Sequence, residues 1–291
     1  MKMKPLLFAG LASLALIGAS GQTMAKTLVM GLIPAESNEE MIQRFEPMRK
    51  YLEAKIGENI KVFTATDYAG VIEAMKKKRV DIAWFGPLSY VLAEREAGAE
   101  AFAVGVRKST GKSTYRSLFV VPEGSKAKSL KDLAGKSVAF VDPASTSGGL
   151  IPTYLVMRAT GKMPKAFFGK FTYAGSHDAA EMAVRNKTVD AAADNDITYA
   201  KMVKKGLISE TSNRVLLYSD PLPGSPLVYR GDLDETLKKK IRDAILSAHK
   251  DIAVTGYGDL SRYEKTTPAD YQMVRDLVAK LGLGRDDILK K

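Results

Sequence analysis

The stretch Val141–Arg158, VDPASTSGGLIPTYLVMR, guides the interpretation of the whole chain. A short apolar run, Lys136–Val141, leads into it and predicts a buried strand that stops at Asp142. Small residues follow, and then apolar residues recur at helical spacing. Such a turn gathers free backbone N–H groups at a helix start, where the dipole adds about half a positive charge. A tetrahedral oxyanion suits this position, although an ordinary serine N-cap gives the same pattern.

Three hydroxyl side chains stand at the start of this predicted helix: Ser145, Thr146 and Ser147. Each hydroxyl can donate one hydrogen bond to a negatively charged oxygen. Gly148 and Gly149 follow, and without side chains they let a ligand approach the backbone. The turn therefore predicts an anion site built from neutral donors.

Residues 1–25 have the three parts of an export signal. Lys2 and Lys4 form the charged start, Leu6–Ile17 the apolar core, and small residues precede a cleavage site near Ala25. The apolar core is too short for a membrane anchor. We therefore expect a soluble mature chain in the periplasm. The chain contains no cysteine, so we expect neither disulfides nor a lipid anchor on an N-terminal cysteine.

The formal net charge of +11 raises the question of a nucleic-acid partner. The Lys and Arg residues are dispersed or sit on helix faces, as in Lys76–Arg79 and Lys238–Lys240. They do not alternate with aromatic residues into a base-stacking surface. We therefore expect no nucleic acid. For an exported protein, a positive field that attracts small anions is a better use of this charge.

Short apolar strands alternate with amphipathic helices along the chain. The first half predicts strands at Thr27–Ile33, Asn59–Thr64 and Val80–Phe85, with helices at Glu39–Lys55, after Asp67 and at Leu88–Glu96. The second half predicts strands at Ser137–Val141, Lys170–Tyr173 and Val189–Ala193, and a helical pattern from Leu233 onward. Alternation with short connections predicts an α/β fold with mostly parallel sheets covered on both faces.

One pattern occurs twice, in Glu73–Ile82 and in Glu181–Ala191. Both segments pair the end of a helix with a Val-Asp dipeptide that opens a buried strand, which predicts two similar lobes. We assign residues 26–110 with 220–291 to lobe 1 and residues 111–219 to lobe 2. Two doubly wound lobes place a ligand in the crevice between them, at the carboxyl ends of their strands.

Two strand-rich crossings, near Val106–Tyr115 and Tyr218–Ser225, should form a hinge between these lobes. We expect a monomer whose lobes rotate about these crossings as rigid bodies.

The common catalytic and metal-binding motifs are absent from the sequence. It has no nucleophile elbow, no phosphate-binding P-loop and no dinucleotide fingerprint. With two histidines, His177 and His249, and no cysteine, a zinc site is not expected. Residues 194–196, Asp-Asn-Asp, lack the glycine and distal Glu of a calcium loop and suit a strand end and helix cap. We expect no metal, cofactor or catalysis, but an enzyme with His177 as general base near Ser145 or Ser147 stays open.

Five segments in order resemble the phosphate/phosphite/phosphonate substrate-binding proteins of bacterial ABC transporters. They are Asp67–Gly70, Val80–Trp84, Asp142–Gly148, Asn186–Asp190 and Pro221–Gly224. The resemblance spans nearly the whole mature chain. It implies a type II periplasmic binding protein with two doubly wound lobes, a cleft and a two-strand hinge. It also implies a phosphorus oxyanion as ligand and a membrane ABC permease as partner.

The resemblance also implies which residues bind the ligand. Ser145, Thr146 and Ser147 should hold the oxyanion, together with Tyr68, Tyr115 and His177 from other loops. A small non-ionic face of the ligand should turn toward Tyr68, Tyr115 or Phe85.

Two departures from the family pattern bear on the ligand. Members that bind aminoethylphosphonate hold its ammonium with carboxylates, and those positions here are Ile197 and Ser225. Neither residue can neutralise a buried cation, although Asp194 or Asp196 is close enough in sequence to substitute. We therefore expect phosphite, hypophosphite or methylphosphonate. A receptor for 2-aminoethylphosphonate or for phosphonates in general is the alternative, and the sequence does not separate transport from sensing.

Overall fold

The computed structural model describes residues 27–289. The export signal predicted for residues 1–25, with its cleavage near Ala25, lies outside this range. Over the described range, every helix is too short or too polar to cross a membrane.

Two sheets and their surrounding helices make up the described part of the chain. The strands are β1 (Leu28–Leu32), β2 (Ile60–Thr64), β3 (Ile82–Trp84), β4 (Ala99–Arg107), β5 (Ser117–Pro122), β6 (Ser137–Phe140), β7 (Lys170–Tyr173), β8 (Ala191–Asn195), β9 (Asn213–Tyr218), β10 (Pro226–Arg230) and β11 (Leu260–Lys265). The helices are α1 (Asn38–Ile56), α2 (Tyr68–Lys76), α3 (Pro87–Ala97), α4 (Ile151–Thr160), α5 (Pro164–Phe167), α6 (His177–Arg185), α7 (Asp196–Lys204), α8 (Glu235–Ser247), α9 (Gln272–Lys280) and α10 (Arg285–Leu289). A π-helical turn, Thr146–Leu150, leads into α4.

The first sheet has the strand order β11-β4-β10-β3-β1-β2, and the second has the order β7-β6-β8-β5-β9. We call the first sheet with its helices lobe 1 and the second lobe 2. Central strands such as β3, β8 and β10 are buried along their whole length. Their side chains form the core together with the helix faces that cover them. This explains why these strands are nearly continuous apolar runs in the sequence.

The sheets are less parallel than the sequence predicts. Strands β1 to β3 are parallel neighbours, and so are β6 to β8. However, β5 runs antiparallel to β8, and β10 runs antiparallel to β3. Ser117, which opens β5, pairs with Asn195 at the end of β8. The first strand after each crossing therefore starts where the parallel strands end, so it has to run in the opposite direction.

The repeated Val-Asp dipeptides have the same structural role in both lobes. The Asp81 carboxylate accepts a hydrogen bond from Val29 N at 2.9 Å, and the Asp190 carboxylate accepts one from Ser137 N at 2.8 Å. Each aspartate directly precedes a central strand and fixes the start of its parallel neighbour. The strand predicted from Val189 consequently begins only at Ala191.

The two crossings between the lobes are hydrogen-bonded to each other. Leu222 N donates to Tyr115 O at 2.8 Å, and Tyr115 N donates to Leu222 O at 3.2 Å. The strands of the first sheet come from residues 28–107 and 226–265, and those of the second come from residues 117–218. The boundaries proposed near residues 110 and 220 fall within these crossings, and the assignment of each residue to a lobe stays a prediction.

The continuous helix predicted after Leu233 is wrong. Helix α8 ends at Ser247, and β11 adds a strand to the edge of the first sheet beside β4. The register of this pair shifts between Leu260 and Arg262, so the buried residues Leu260 and Tyr263 are three positions apart. That spacing suits a helix as well as a bulged strand, which explains the error.

Candidate functional site

A small cavity lies between the lobes, beside the two crossings. Its volume is only about 20 Å³, so a small guest fits best. Its walls come from both lobes: Ile33, Ala35, Tyr68, Trp84, Gly86, Tyr115, Ser145, Thr146, Ser147, His177, Asn195, Ser225 and Tyr257.

The starts of five helical segments converge on this cavity. Tyr68 is the first residue of α2 and His177 is the first residue of α6. Gly86, Ser145 and Asn195 immediately precede α3, the π-helical turn and α7. Each helix start carries a partial positive charge, so their convergence favours an anionic guest.

Neutral groups supply the polar side chains of the cavity wall. Among the described residues that line it there is no Lys or Arg. Burial raises the pKa of Tyr115 to about 12 and raises the pKa of Tyr68 well above its usual range. Both phenols are therefore protonated donors at neutral pH. The hydroxyls of Thr146 and Ser147 interact with the Tyr115 phenol.

The turn before α4 is an ordinary N-cap and also a contact between the lobes. Ser145 Oγ accepts a hydrogen bond from Gly148 N at 3.0 Å, which is the capping bond. Thr146 Oγ1 accepts one from Leu88 N at 2.8 Å, in the first turn of α3. A hydroxyl that accepts in this way still has a proton to donate.

The two glycines of this turn serve packing. A Cβ atom on Gly148 would lie 2.4 Å from the Cβ of Val141, and one on Gly149 would lie 2.4 Å from the carbonyl oxygen of Asp142. The glycines therefore let the turn press against the end of its own strand. The sequence predicts that the glycines serve the approach of a ligand, but nothing in this geometry requires them for that purpose.

His177 joins the cavity to a buried acidic group. Its Nδ1 lies 2.6 Å from Asp194 Oδ1, and its backbone N donates to Ala35 O of the other lobe at 2.9 Å. Burial lowers the pKa of the His177 imidazole to about 4. The ring is therefore uncharged at neutral pH.

The structure brings seven of the nine predicted site residues to one cavity: Tyr68, Tyr115, Ser145, Thr146, Ser147, His177 and Ser225. Phe85 and Asp196 are not among its lining residues. Side chains alternate along a strand, so Trp84 faces the cavity and Phe85 is buried in the core. Asp196 is paired with Arg107 at 2.7 Å and accepts from Arg116 N at 3.1 Å, next to the crossings.

Three lining residues with aromatic or amide side chains were not among the predicted site residues: Trp84, Asn195 and Tyr257. The Trp84 and Tyr257 rings pack with centroids 4.7 Å apart, and Asn195 Nδ2 donates to the Tyr257 hydroxyl at 2.9 Å. Tyr257 lies between Gly256 and Gly258. An aromatic residue between two glycines is the signal that could identify it, but the helical pattern predicted from Leu233 onward includes this segment.

A second small pocket adjoins the cavity and shares four lining residues with it: Trp84, Tyr115, Ser225 and Tyr257. Ile197 and Arg107 also line it. None of the described residues that line this pocket is Asp or Glu.

A buried ion pair holds the lobes together at one side of the cavity. Glu36 is fully buried next to Ala35 of the cavity wall, and its carboxylate lies 2.6 Å from Lys201 Nζ of lobe 2. Arg44 of lobe 1 approaches the same carboxylate at 3.1 Å, and Thr198 Oγ1 of lobe 2 donates to it at 3.2 Å. Within residues 27–289, we found no cluster of three or more side chains suited to a metal ion.

Comparisons with known proteins agree with this architecture. A model of the family described as "ABC transporter, phosphonate, periplasmic substrate-binding protein" matches residues 30–271. The chain is 34% identical over 236 residues to the phosphonates-binding periplasmic protein of Escherichia coli, covering 80% of this chain and 69% of that protein. It is 27% identical over 274 residues to a probable ABC transporter phosphite binding protein of Prochlorococcus marinus, covering 88% and 90%.

Solved structures show the same fold. The binding protein of an ABC phosphonate transporter from Pseudomonas aeruginosa superposes with a TM-score of 0.79 at 29% identity, over 87% of this chain and 86% of that one. A Prochlorococcus marinus protein in complex with methylphosphonate gives 0.77 at 25% identity, over 88% and 98%. The fold is thus that of a type II periplasmic binding protein, and the relatives are binding proteins, not enzymes. The chain belongs to the family of periplasmic substrate-binding proteins of ABC phosphonate transporters.

Proposed function

We propose that this protein captures phosphite, hypophosphite or methylphosphonate in the periplasm and delivers it to the membrane permease of its transporter. The observation that carries the proposal is the cavity itself: a small space where five helix starts converge with no Lys or Arg in its wall. Such a site can satisfy the oxygens of one compact anion with neutral donors once water is excluded.

The oxygens of the anion meet Ser145, Thr146, Ser147 and His177 in this proposal. Each hydrogen bond to a charged oxygen contributes about 1.5–3 kcal/mol. The P–H or P–CH₃ face turns toward the aromatic side of the cavity, toward Trp84, Tyr68 or Tyr115. Trp84 replaces the predicted Phe85, which is buried in the core.

The adjoining pocket is where an aminoethyl group would extend. Its wall includes Ile197, Ser225 and Arg107, none of which can pair with an ammonium group. Asp196 already pairs with Arg107, and Asp194 lies behind His177. An ammonium buried here would lack a partner, at a free-energy cost of several kcal/mol.

Orthophosphate fits the proposed site less well for a different reason. It presents a fourth oxygen where the proposed ligands present a non-ionic face. A hydroxyl left unpaired against an aromatic wall costs about 1–3 kcal/mol.

A general phosphonate receptor is the second candidate, favoured by the 34% identity to the Escherichia coli phosphonates-binding protein. A sensor that presents the closed form to a membrane receptor would use the same site.

Titration calorimetry of the mature protein against a panel of phosphorus anions tests the proposal. The panel contains phosphite, hypophosphite, methylphosphonate, aminoethylphosphonate and orthophosphate. We expect at least one of the first three to bind no less than tenfold tighter than the last two. Tightest binding of aminoethylphosphonate would instead support the general phosphonate receptor.

A further inference from the structure

A buried chain of three ionisable side chains runs from the cavity into the core of lobe 2. His177 lines the cavity, and its Nδ1 is bound to Asp194 Oδ1 at 2.6 Å. Asp194 Oδ2 and Glu181 Oε1 are both buried without a hydrogen-bond partner in the described part of the chain. Glu181 Oε2 accepts from Asn213 Nδ2 at 2.6 Å, which closes the chain.

The two carboxyl groups cannot both be ionised. Each carboxyl influences the acidity of the other, so the two groups lie close together, and two neighbouring carboxylates buried without a cation are strongly disfavoured as an ionised pair. Across residues 27–289, neither carboxyl forms an ion pair with Lys or Arg, and both residues are fully buried. One proton therefore stays between Glu181 and Asp194.

The remaining question is which partner holds the proton in the His177–Asp194 bond. If Asp194 is ionised, Nδ1 carries the proton and the lone pair of Nε2 faces the ligand. A bound anion would then meet a lone pair, with a second negative charge directly behind the ring. If Asp194 is protonated, it donates to Nδ1, and Nε2–H becomes a donor to the anion. Burial lowers the pKa of His177 to about 4, which disfavours an imidazolium, and of the two arrangements with an uncharged ring only the second is attractive.

We propose that Glu181 and Asp194 are positioning residues that hold two protons behind His177, so that an uncharged imidazole donates Nε2–H to the bound anion. This inference rests on the proposed function, because it requires a phosphorus oxyanion in the cavity. It makes anion capture dependent on the proton of Asp194, although Asp194 does not touch the ligand.

The surroundings of the chain support this assignment. The other ionisable groups that act on it are acidic: Glu36 after β1, Asp142 after β6, Asp178 on α6 and the Tyr257 phenol before β11. Glu36 has its own cations, Arg44 and Lys201.

The pKa values of the two carboxyl groups are shifted upward, whereas that of His177 is shifted downward. Burial raises the pKa of Asp194 to about 8. Burial also raises the pKa of Glu181 well above its usual range, and the neighbouring Asp194 carboxyl adds to the effect. A negative ligand on the far side of the ring raises the pKa of Asp194 further.

Hypophosphite is the probe for a test, because it keeps a single charge between pH 6 and pH 9. For the wild-type protein we expect affinity to be nearly constant below about pH 7 and about tenfold weaker by pH 9, as Asp194 loses its proton through a pKa of about 8. Calorimetry at pH 8.5 in buffers of different ionisation enthalpy should show proton uptake on binding.

Two isosteric variants separate the roles of the carboxyl groups. Asp194→Asn has an amide that donates permanently to Nδ1, so the decline in affinity with pH should disappear. Glu181→Gln puts an amide in place of a carboxyl group that stays protonated throughout this pH range. The decline in affinity with rising pH should therefore remain, whatever the affinity of this variant at neutral pH. His249→Gln changes an exposed histidine outside the cavity and should also keep the decline.

A flat wild-type profile, or the absence of proton uptake at pH 8.5, would overturn the inference, and these two measurements do not depend on the folding of any variant. An undiminished decline in Asp194→Asn would overturn it as well. Hypophosphite binding with an affinity that does not change with pH would leave the proposed function intact. If no phosphorus anion binds at any pH, the proposed function fails and this inference fails with it.

Discussion

Thr146 Oγ1 of lobe 2 lies 2.8 Å from the backbone nitrogen of Leu88 in lobe 1, and accepts its hydrogen bond. The same hydroxyl lines the proposed anion cavity. One side chain therefore joins the first turn of α3 to the turn before α4 at the point where a ligand would sit. Ligand binding and lobe closure should depend on this hydroxyl together.

Replacement of Thr146 by Ala should weaken binding of the preferred anion by roughly 10- to 150-fold, since a hydrogen bond to a charged group contributes about 1.5–3 kcal/mol. Thr146→Ser keeps the hydroxyl and should retain most of the affinity. Calorimetry measures both variants. An Ala variant that binds as tightly as the parent would mean that the anion site is elsewhere.

The ion pair between Glu36 and Lys201 should stabilise the closed form. Lys201→Gln leaves the buried Glu36 with Arg44 as its one remaining cationic partner among residues 27–289. We expect a loss of about 1–2 kcal/mol, or roughly 5- to 30-fold in affinity. Lys204→Gln changes an exposed lysine on the same helix and serves as the control. Equal affinities of the two variants in calorimetry would rule out a role for the pair in closure.

Carboxylates introduced at the adjoining pocket should change the ligand preference. Ile197→Glu combined with Ser225→Asp gives an ammonium group two partners, so the affinity for aminoethylphosphonate should rise at least tenfold relative to phosphite. Ile197→Gln with Ser225→Asn provides uncharged controls of similar size. If the wild-type protein already prefers aminoethylphosphonate, Asp194 or Asp196 supplies the missing carboxylate and the pocket assignment is incorrect.

Ligand binding should close the lobes about the paired crossings. Small-angle X-ray scattering of the mature protein should show a monomer whose radius of gyration falls when the preferred anion is added. Sodium acetate at the same ionic strength provides the control and should leave the radius unchanged. A constant radius at saturation with the anion would contradict the hinge.

Local patterns in the sequence predict much of the fold. Asp67 caps α2 through Gly70 N at 2.8 Å, and Asn195 caps α7, as expected from residue type alone. The repeated Val-Asp pairs predict the equivalent strands of the two lobes. These features depend on residues that are neighbours in sequence or that repeat within it.

Long-range contacts account for the missed features. Tyr257 reaches the cavity only because β11 pairs with β4, and the shifted register hides that strand. Trp84 lines the cavity and Phe85 lies in the core, the reverse of the prediction for Phe85, because the direction of a strand side chain depends on where the strand ends. Asp194 is 17 residues from His177, and its importance follows from burial that the sequence does not show.

The absence of Lys and Arg from the described wall of the cavity has a consequence for the release of the cargo. A receptor that binds its ligand through cationic side chains has to break strong ionic contacts before the permease can accept the ligand. In the proposed site the anion is held by uncharged donors from both lobes, so separation of the lobes would break the contacts from one lobe in a single movement. Retention in this proposal depends on the closed arrangement of the lobes, and a permease that opens them would release the anion.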